Sequence, residues 1–150
     1  MITIEKDYEK ALLDHYEFLN TLKGTKMGIK QDLLDISYKH IIKQGRPSIT
    51  DTGFCRYSDG NGGGCGAWPF ITTYSPDMEN LGWTQVVSRF PSSLDERAVE
   101  DSIFVQTLQE MHDKAAQSIN RMGQGFIENY KHRVELFVEK HGLVIPTLQE

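Results

Sequence analysis

The amino-acid sequence predicts an α+β domain, mainly helical, in which four to five helices pack around one glycine-rich β-hairpin. Apolar residues recur at intervals of three and four along several segments, which is the helical period. Two short segments rich in Ile, Thr, Phe, Tyr and Trp flank a run of glycines, and this is the pattern of two strands joined by a turn. The length of 150 residues is typical of one domain.

The first part of the chain, residues 1–45, is predicted to be a pair of helices. The first helix ends near Gly24, since glycine favours the left-handed position just past a helix. The second spans about Lys26 to Gln44 and ends before Arg46-Pro47, because proline disfavours helix in the preceding residue. The apolar face of the first helix consists of Tyr8, Leu12, Tyr16, Leu19 and Leu22.

The predicted hairpin occupies residues 48–73. Its strands are Ser48–Tyr57 and Cys65–Thr73, and the segment Ser58–Gly64 joins them. That segment contains Asp-Gly and Asn-Gly, which are strong signals for a hairpin turn because glycine accepts a positive φ without strain.

The last part, residues 76–142, is predicted to contain the C-terminal helices. One begins at Pro76 and ends near Ser88, since proline suits the first position of a helix. A longer helix runs from about Ser102 to Arg121, and a final one runs from Phe126 to Lys140.

Composition excludes several classes of protein. The net charge of −5 argues against non-specific binding of nucleic acid, which depends on Lys and Arg. No apolar run approaches the roughly 20 residues that span a bilayer, and the first residues lack the pattern of a signal peptide. The expected location is therefore the cytosol, and the two cysteines of an unsecreted chain are expected to be reduced thiols.

Residues that suit an anionic ligand cluster near the glycine run. Backbone N–H groups of consecutive glycines can form a nest for phosphate oxygens, and arginine adds two-pronged hydrogen bonds. An aromatic ring beside them could stack a base. The alternative is a flexible hairpin tip with its aromatic rings in the core. The candidate ligand-binding residues are Lys43, Arg46, Arg56, Tyr57, Gly62, Gly63, Gly64, Trp68 and His112. We assign no catalytic residue and expect no cofactor.

Two further groups admit more than one interpretation. Cys55 and Cys65 could lie opposite each other and bind zinc with His112 or His40, although their spacing is wider than in a zinc knuckle. Buried thiols that pack as small hydrophobes are the alternative. His112 and Asp113 could serve a metal phosphohydrolase, but adjacent helical residues lie about 100° apart. The other interpretation is that His112 donates or accepts a hydrogen bond with the hairpin.

Several motifs resemble those of small phage and prophage proteins of no settled function. The resemblance covers about two-thirds of the chain, from Ile41 onward, and departs from the family pattern at Trp68 and at Thr72-Thr73. The motifs are Cys55-Arg56-Tyr57, Cys65-Gly66-Ala67, Tyr74-Ser75-Pro76-Asp77-Met78-Glu79, Leu108-Gln109-Glu110-Met111-His112-Asp113 with Ala115-Ala116, and His141-Gly142-Leu143.

A phage setting implies a role against the host. Small phage proteins of this kind often bind or block host machinery, and some capture nucleotide immune signals. The resemblance therefore implies a counter-defence protein in the host cytosol that sequesters a small phosphate-bearing signal of the cyclic nucleotide type, with a homo-oligomer as one expected form. The alternatives are an inhibitor that binds a host protein through the hairpin, and a phosphodiesterase-type hydrolase that uses His112 and Asp113.

Overall fold

The structure is a computed structural model that describes residues 26–50, 55–118 and 125–146. Its α-helices are α1 (Lys26–Gln44), α2 (Trp83–Arg89), α3 (Glu96–Glu100), α4 (Ser102–Gln117) and α5 (Phe126–His141). Short 3-10 turns occupy Trp68–Phe70, Pro76–Asn80 and Pro91–Ser93. The helix predicted before Gly24 lies outside the described residues. None of the described helices is long and apolar enough to cross a bilayer.

Helix α4 is the centre of the fold and packs against the other four described α-helices. The buried residues of α4 lie on more than one side of the helix, so neighbouring helices cover it on several sides. These positions are Phe104, Val105, Leu108, Met111, His112, Ala115 and Ala116.

Helices α1 and α5 have the bounds that the sequence predicts, except that α5 ends one residue later. The last turn of α1 continues into a hydrogen bond from the Gly45 N–H to the Ile41 carbonyl, and Pro47 follows. The two helices meet where the rings of Tyr38 and Tyr130 stack with centroids 5.9 Å apart.

The helix predicted from Pro76 to about Ser88 is divided into two elements. A 3-10 turn ends at Asn80, and α2 begins only at Trp83. Helix α4 ends at Gln117, whereas the sequence predicts an end at Arg121; residues 119–124 lie outside the described ranges.

The predicted β-hairpin is wrong, and with it the α+β class: in the described part of residues 48–73 the chain forms isolated antiparallel bridges and no strand. The bridges join Ile49 to Cys55, Ser58 to Gly64, and Ile71 to Leu94. The glycine-rich segment does turn back on itself, since the Asp59 N–H donates to the Gly63 carbonyl (2.9 Å). The fold is therefore helical, with an irregular loop where the hairpin is predicted.

Side chains replace the ladder that a hairpin would need. The Glu79 carboxylate accepts hydrogen bonds from the N–H groups of Tyr57 (2.9 Å) and Ser58 (3.0 Å). In the second predicted strand, Pro69 has no N–H to donate. Gly66 lies so close to α4 that a Cβ there would be 2.6 Å from the Leu108 carbonyl oxygen. The N–H groups of Tyr57 and Ser58 therefore bind a side chain distant in sequence instead of a neighbouring strand.

Candidate functional site

A polar cavity of about 390 Å³ lies between the C-terminal end of α1 and the glycine-rich loop. Its volume falls near the lower end of the range of small-molecule sites. Helix α1 contributes the side chains of His40, Lys43 and Gln44, and the loop contributes Asn61–Gly63. Arg46, just past the helix, completes the lining.

Asp59 fixes the shape of the loop. Its Oδ1 accepts hydrogen bonds from the N–H groups of Asn61 (2.7 Å) and Gly63 (2.9 Å), and its Oδ2 accepts one from the Arg46 guanidinium (2.7 Å). Burial alone would raise the pKa of this carboxyl, but the two N–H groups and Arg46 outweigh burial, so its pKa lies below the ordinary value. Asp59 is therefore ionised near neutral pH and is turned towards the loop backbone.

Hydrogen bonds from Gln44 and His40 hold the loop at Gly64 against α1. The Gln44 side-chain oxygen accepts from the Gly64 N–H (2.8 Å), and its amide nitrogen donates to the Gly64 carbonyl (3.1 Å). His40 Nε2 lies 3.1 Å from the same carbonyl. Because a carbonyl can only accept, this nitrogen carries the proton. Burial lowers the pKa of His40, so its ring is neutral near pH 7.

Gly64 has no room for a side chain. A Cβ there would overlap the Trp68 side chain and the Tyr57 carbonyl oxygen. Packing against Trp68 and Tyr57 therefore requires glycine at this position.

The groups still available to a ligand are fewer than the sequence suggests. The N–H groups of Gly63 and Gly64 are bonded to Asp59 and Gln44. The Gly62 N–H donates to no described acceptor, and its φ of +84° is one that glycine adopts without strain. Lys43 is exposed and pairs with no described carboxylate, and half of the Arg46 side chain is exposed. An anion in the cavity can therefore contact Lys43, Arg46 and Gly62.

Three of the predicted ligand-binding residues lie away from the cavity. Arg56 lies beside Glu79, with their nearest charged atoms 3.9 Å apart. Tyr57 is buried, and its hydroxyl donates to the Leu81 carbonyl (2.8 Å). Trp68 is half-buried with its ring edge-on to Tyr74. No Phe, Tyr or Trp therefore lies among the residues that line the cavity.

His112, another predicted ligand-binding residue, is fully buried in the core. Its Nε2 accepts a hydrogen bond from the Ser48 N–H (2.9 Å), so the ring proton is on Nδ1, which donates to Asp113 Oδ1 (2.8 Å). The ring lies edge-on to Phe126. Both nitrogens are occupied, and the ring links residue 48 to α4, consistent with the structural interpretation of His112.

One group of three potential metal ligands exists within the described residues, formed by Cys55, His112 and Asp113 with donor atoms within 4.8 Å of one another. A metal-binding histidine offers a lone pair to the ion and donates its other N–H to an acceptor. Here the lone pair of His112 faces the Ser48 N–H. Binding an ion at Nδ1 would leave the ring without a proton. The group therefore fits a hydrogen-bonded cluster better than a metal centre, and Cys65, the other candidate, lies outside it.

Burial also makes the two cysteines unreactive. Desolvation, followed by the negative charge of Asp113, raises the pKa of the Cys55 thiol to about 12. Burial likewise raises the pKa of Cys65. Both cysteines are free thiols. Because the thiolate is the nucleophile, the raised pKa leaves neither of them poised to attack.

Comparison of the chain with known protein families, with curated protein sequences and with solved structures finds no match. The function of the cavity must therefore be argued from its own residues. Four of these, Lys43, Arg46, Gly62 and Gly63, are among the residues that the sequence suggests.

Sequence reasoning misses His40, Gln44 and Asn61, which also line the cavity. A signal for the first two is present, because residues four apart on a helix share a face. His40 and Gln44 have that spacing, at the end of the helix that leads into Arg46. His40 and Gln44 are polar residues close to the buried Ile41 on α1, and a polar pair at this spacing can be recognised in the sequence.

Proposed function

We propose that this chain is a phage-encoded counter-defence protein that binds a small phosphate-bearing host signal of the cyclic nucleotide type and sequesters it without catalysis. The observation that carries the proposal is the polar cavity, in which Lys43, Arg46 and the Gly62 N–H are available to one ligand. The phage setting and the host cytosol come from the resemblance of the sequence motifs.

Charge supports an anionic ligand. Lys43 and Arg46 both line the cavity, and the nearest carboxylate, Asp59, accepts three hydrogen bonds from the loop and Arg46. A phosphate oxygen would accept charge-assisted hydrogen bonds from these cations, which are stronger than neutral ones. Because both cations are substantially exposed, water and salt screen each contact and reduce its contribution.

Size supports a ligand, or part of a ligand, no larger than about one nucleotide. A volume of about 390 Å³ is near the lower limit for a site that encloses a drug-sized molecule. A larger molecule such as a cyclic dinucleotide would extend beyond the cavity, where a second copy of the chain could cover the rest. The predicted homo-oligomer would serve this purpose.

The arrangement of side chains supports binding rather than hydrolysis. His112 and Asp113, the candidates for a hydrolase, are bonded to each other, and the His112 ring is inaccessible to solvent. A general base must lie within hydrogen-bond distance of the proton it removes.

Isothermal titration calorimetry of the purified chain with cyclic dinucleotides and with cyclic nucleotides derived from NAD tests the proposal. We expect heat with at least one of them, and recovery of the ligand unchanged after the protein is denatured. Replacing Lys43 with Gln should weaken binding by about two- to fivefold, since a charged contact at an exposed side chain contributes about 0.5–1 kcal/mol after screening.

The matched control is Lys39→Gln. Lys39 is exposed on α1, one turn before Lys43, and does not line the cavity. It should bind the ligand as the unchanged chain does. No heat with any of these nucleotides, or equal weakening by the two substitutions, would refute the proposal, and a chemically altered ligand would show catalysis instead.

A further inference from the structure

A groove of about 240 Å³ runs between α4 and α5 on a surface distinct from the polar cavity. Its apolar lining comes from Met111 on α4 and from Leu136 and Phe137 on α5. Leu136 is 55% exposed.

A second exposed aliphatic residue extends the apolar surface of this groove. Ile103, at the start of α4, is 75% exposed. It lies four residues before Thr107, which lines the groove, so the two side chains share one face of the helix. Its neighbour Phe104 contacts Phe137, with the two rings tilted and their centroids 5.5 Å apart. Ile103 therefore lies on the α4 face that leads to the groove, one turn beyond Thr107.

Cations surround this apolar surface. Lys114 on α4 and Arg133 and Lys140 on α5 line the groove, and none of them pairs with a carboxylate among the residues that the structure describes. Glu110 is the acidic residue in the lining. The groove is thus locally positive on a chain whose net charge is −5. Arg133 donates hydrogen bonds to the neutral side chains of Asn129 and Ser118, so its charge, like those of Lys114 and Lys140, is not balanced by a described carboxylate. Cations clustered around apolar side chains favour an acidic amphipathic partner.

We propose that the α4–α5 groove binds an acidic amphipathic helix of a partner protein. From Ile103 to Lys114 the α4 edge measures about 16 Å at the helical rise, which corresponds to three turns of a bound helix. Apolar residues of such a helix at positions i, i+3 or i+4, and i+7 would contact Leu136 and Ile103. Its acidic residues would pair with Lys114, Arg133 and Lys140.

Charge argues against a second copy of this chain as the occupant. A two-fold contact places the same patch of each copy against the other. The three cations of one groove would then face the three cations of its partner, which is unfavourable.

Fluorescence anisotropy with the full chain tests the groove directly. The probe is a labelled synthetic peptide of about 14 residues, four helical turns, with Leu at the helical spacing and Glu elsewhere. The same peptide with Lys in place of Glu is its control. We expect the acidic peptide to bind at least about tenfold more tightly, and we expect added salt to weaken it.

Variants localise the binding. Leu136→Glu and Lys114→Glu should each weaken the acidic peptide by about tenfold or more, with an unchanged Tm that confirms folding. Lys131→Glu is the matched control, because Lys131 is exposed on α5 and does not line the groove. No preference for the acidic peptide, or equal weakening by all three variants, would overturn the proposal.

Two other results would assign the groove to a different occupant and also overturn the proposal. Sedimentation that shows a dimer lost in Leu136→Glu would assign it to a second copy. Tighter peptide binding by a full chain that carries Leu12→Glu and Leu19→Glu would assign it to the acidic segment of this chain before Gly24.

Discussion

Replacing Asp59 is the most informative perturbation of the loop that borders the cavity. Asp59→Ala removes the acceptor of the Asn61 and Gly63 N–H groups and the partner of Arg46. Asp59→Asn keeps a side-chain oxygen for the two N–H groups and loses only the charge opposite Arg46. The pair of variants therefore separates the backbone hydrogen bonds from the ion pair.

The expected loss of unfolding free energy in each variant depends on how exposed the lost contact is. Hydrogen bonds to a charged acceptor contribute about 1.5–3 kcal/mol each, but water can replace part of this at a loop tip, so we expect Asp59→Ala to cost about 2 kcal/mol in total. Half of the Arg46 side chain is exposed, and an exposed ion pair contributes about 0–1 kcal/mol, so Asp59→Asn should cost less than 1 kcal/mol. For a domain of this size, Asp59→Ala should lower Tm by about 4–8 °C.

The effect should depend on pH. The folded-state pKa of Asp59 lies below its ordinary value of 3.8, so the carboxylate stabilises the fold fully above that value. The stabilisation is lost as pH falls through the lower, folded-state pKa. Below it, Asp59 is protonated, and the unchanged chain should then be no more stable than Asp59→Asn.

Urea and thermal unfolding of the three proteins, followed by circular dichroism near neutral pH and in acid, measure these differences. Equal loss of stability in the Asn and Ala variants would mean that the ion pair, and not the backbone hydrogen bonds, fixes the loop. No loss in either variant would refute the role of Asp59 altogether.

Three further predictions follow from contacts around the loop. Gly64→Ala should lower the free energy of unfolding by about 2 kcal/mol or more, because the new methyl group overlaps Trp68 and the Tyr57 carbonyl. Urea titration measures this loss, and an unchanged free energy of unfolding would contradict the prediction. Glu79→Gln should cost about 2 kcal/mol, since one of the two N–H groups of Tyr57 and Ser58 then faces an amide donor; a Tm equal to that of the unchanged chain would contradict the idea that Glu79 replaces a β-ladder. Cys55, with a thiol pKa of about 12, should react with iodoacetamide near pH 8 far more slowly in the folded chain than in urea, as mass spectrometry can follow; equal rates would show an ionised or fully exposed thiol.

The bounds of α1 and α5 can be predicted from the sequence because their signals are local. Apolar residues at the helical spacing define the buried face, and Pro47 marks the end of α1. Tertiary contacts agree with these local preferences, as in the stacking of Tyr38 on Tyr130.

The hairpin could not be predicted correctly because distant residues compete with strand pairing. The turn itself forms, as the bridge between Ser58 and Gly64 shows. Beyond it, however, the Glu79 carboxylate takes the N–H groups of Tyr57 and Ser58, and α4 lies against Gly66. Strand propensity depends strongly on such context. The local sequence carries a signal against the second strand in Pro69, but none that reveals the contacts of Glu79 and α4.

The candidate site was predictable only in part, because some of its residues follow from local sequence and others depend on distant contacts. Lys43 and Arg46 lie close to the glycine run because α1 ends beside it. Arg56 lies closer to the glycine run in sequence, but its guanidinium lies beside Glu79 and does not line the cavity. The distance of a residue from a motif along the chain is therefore a poor guide when an acid far away in sequence can bind it.

The claim that the loop cavity binds a phosphate-bearing ligand is tested most directly by two-dimensional ¹⁵N–¹H NMR. Cyclic dinucleotides and NAD-derived cyclic nucleotides would be titrated into the labelled chain. We expect saturable shifts of the Asn61 and Gly62 amide signals, with the signal of Met111 in the α4–α5 groove unmoved. Unchanged loop signals at saturating nucleotide, or shifts confined to another surface, would contradict the account.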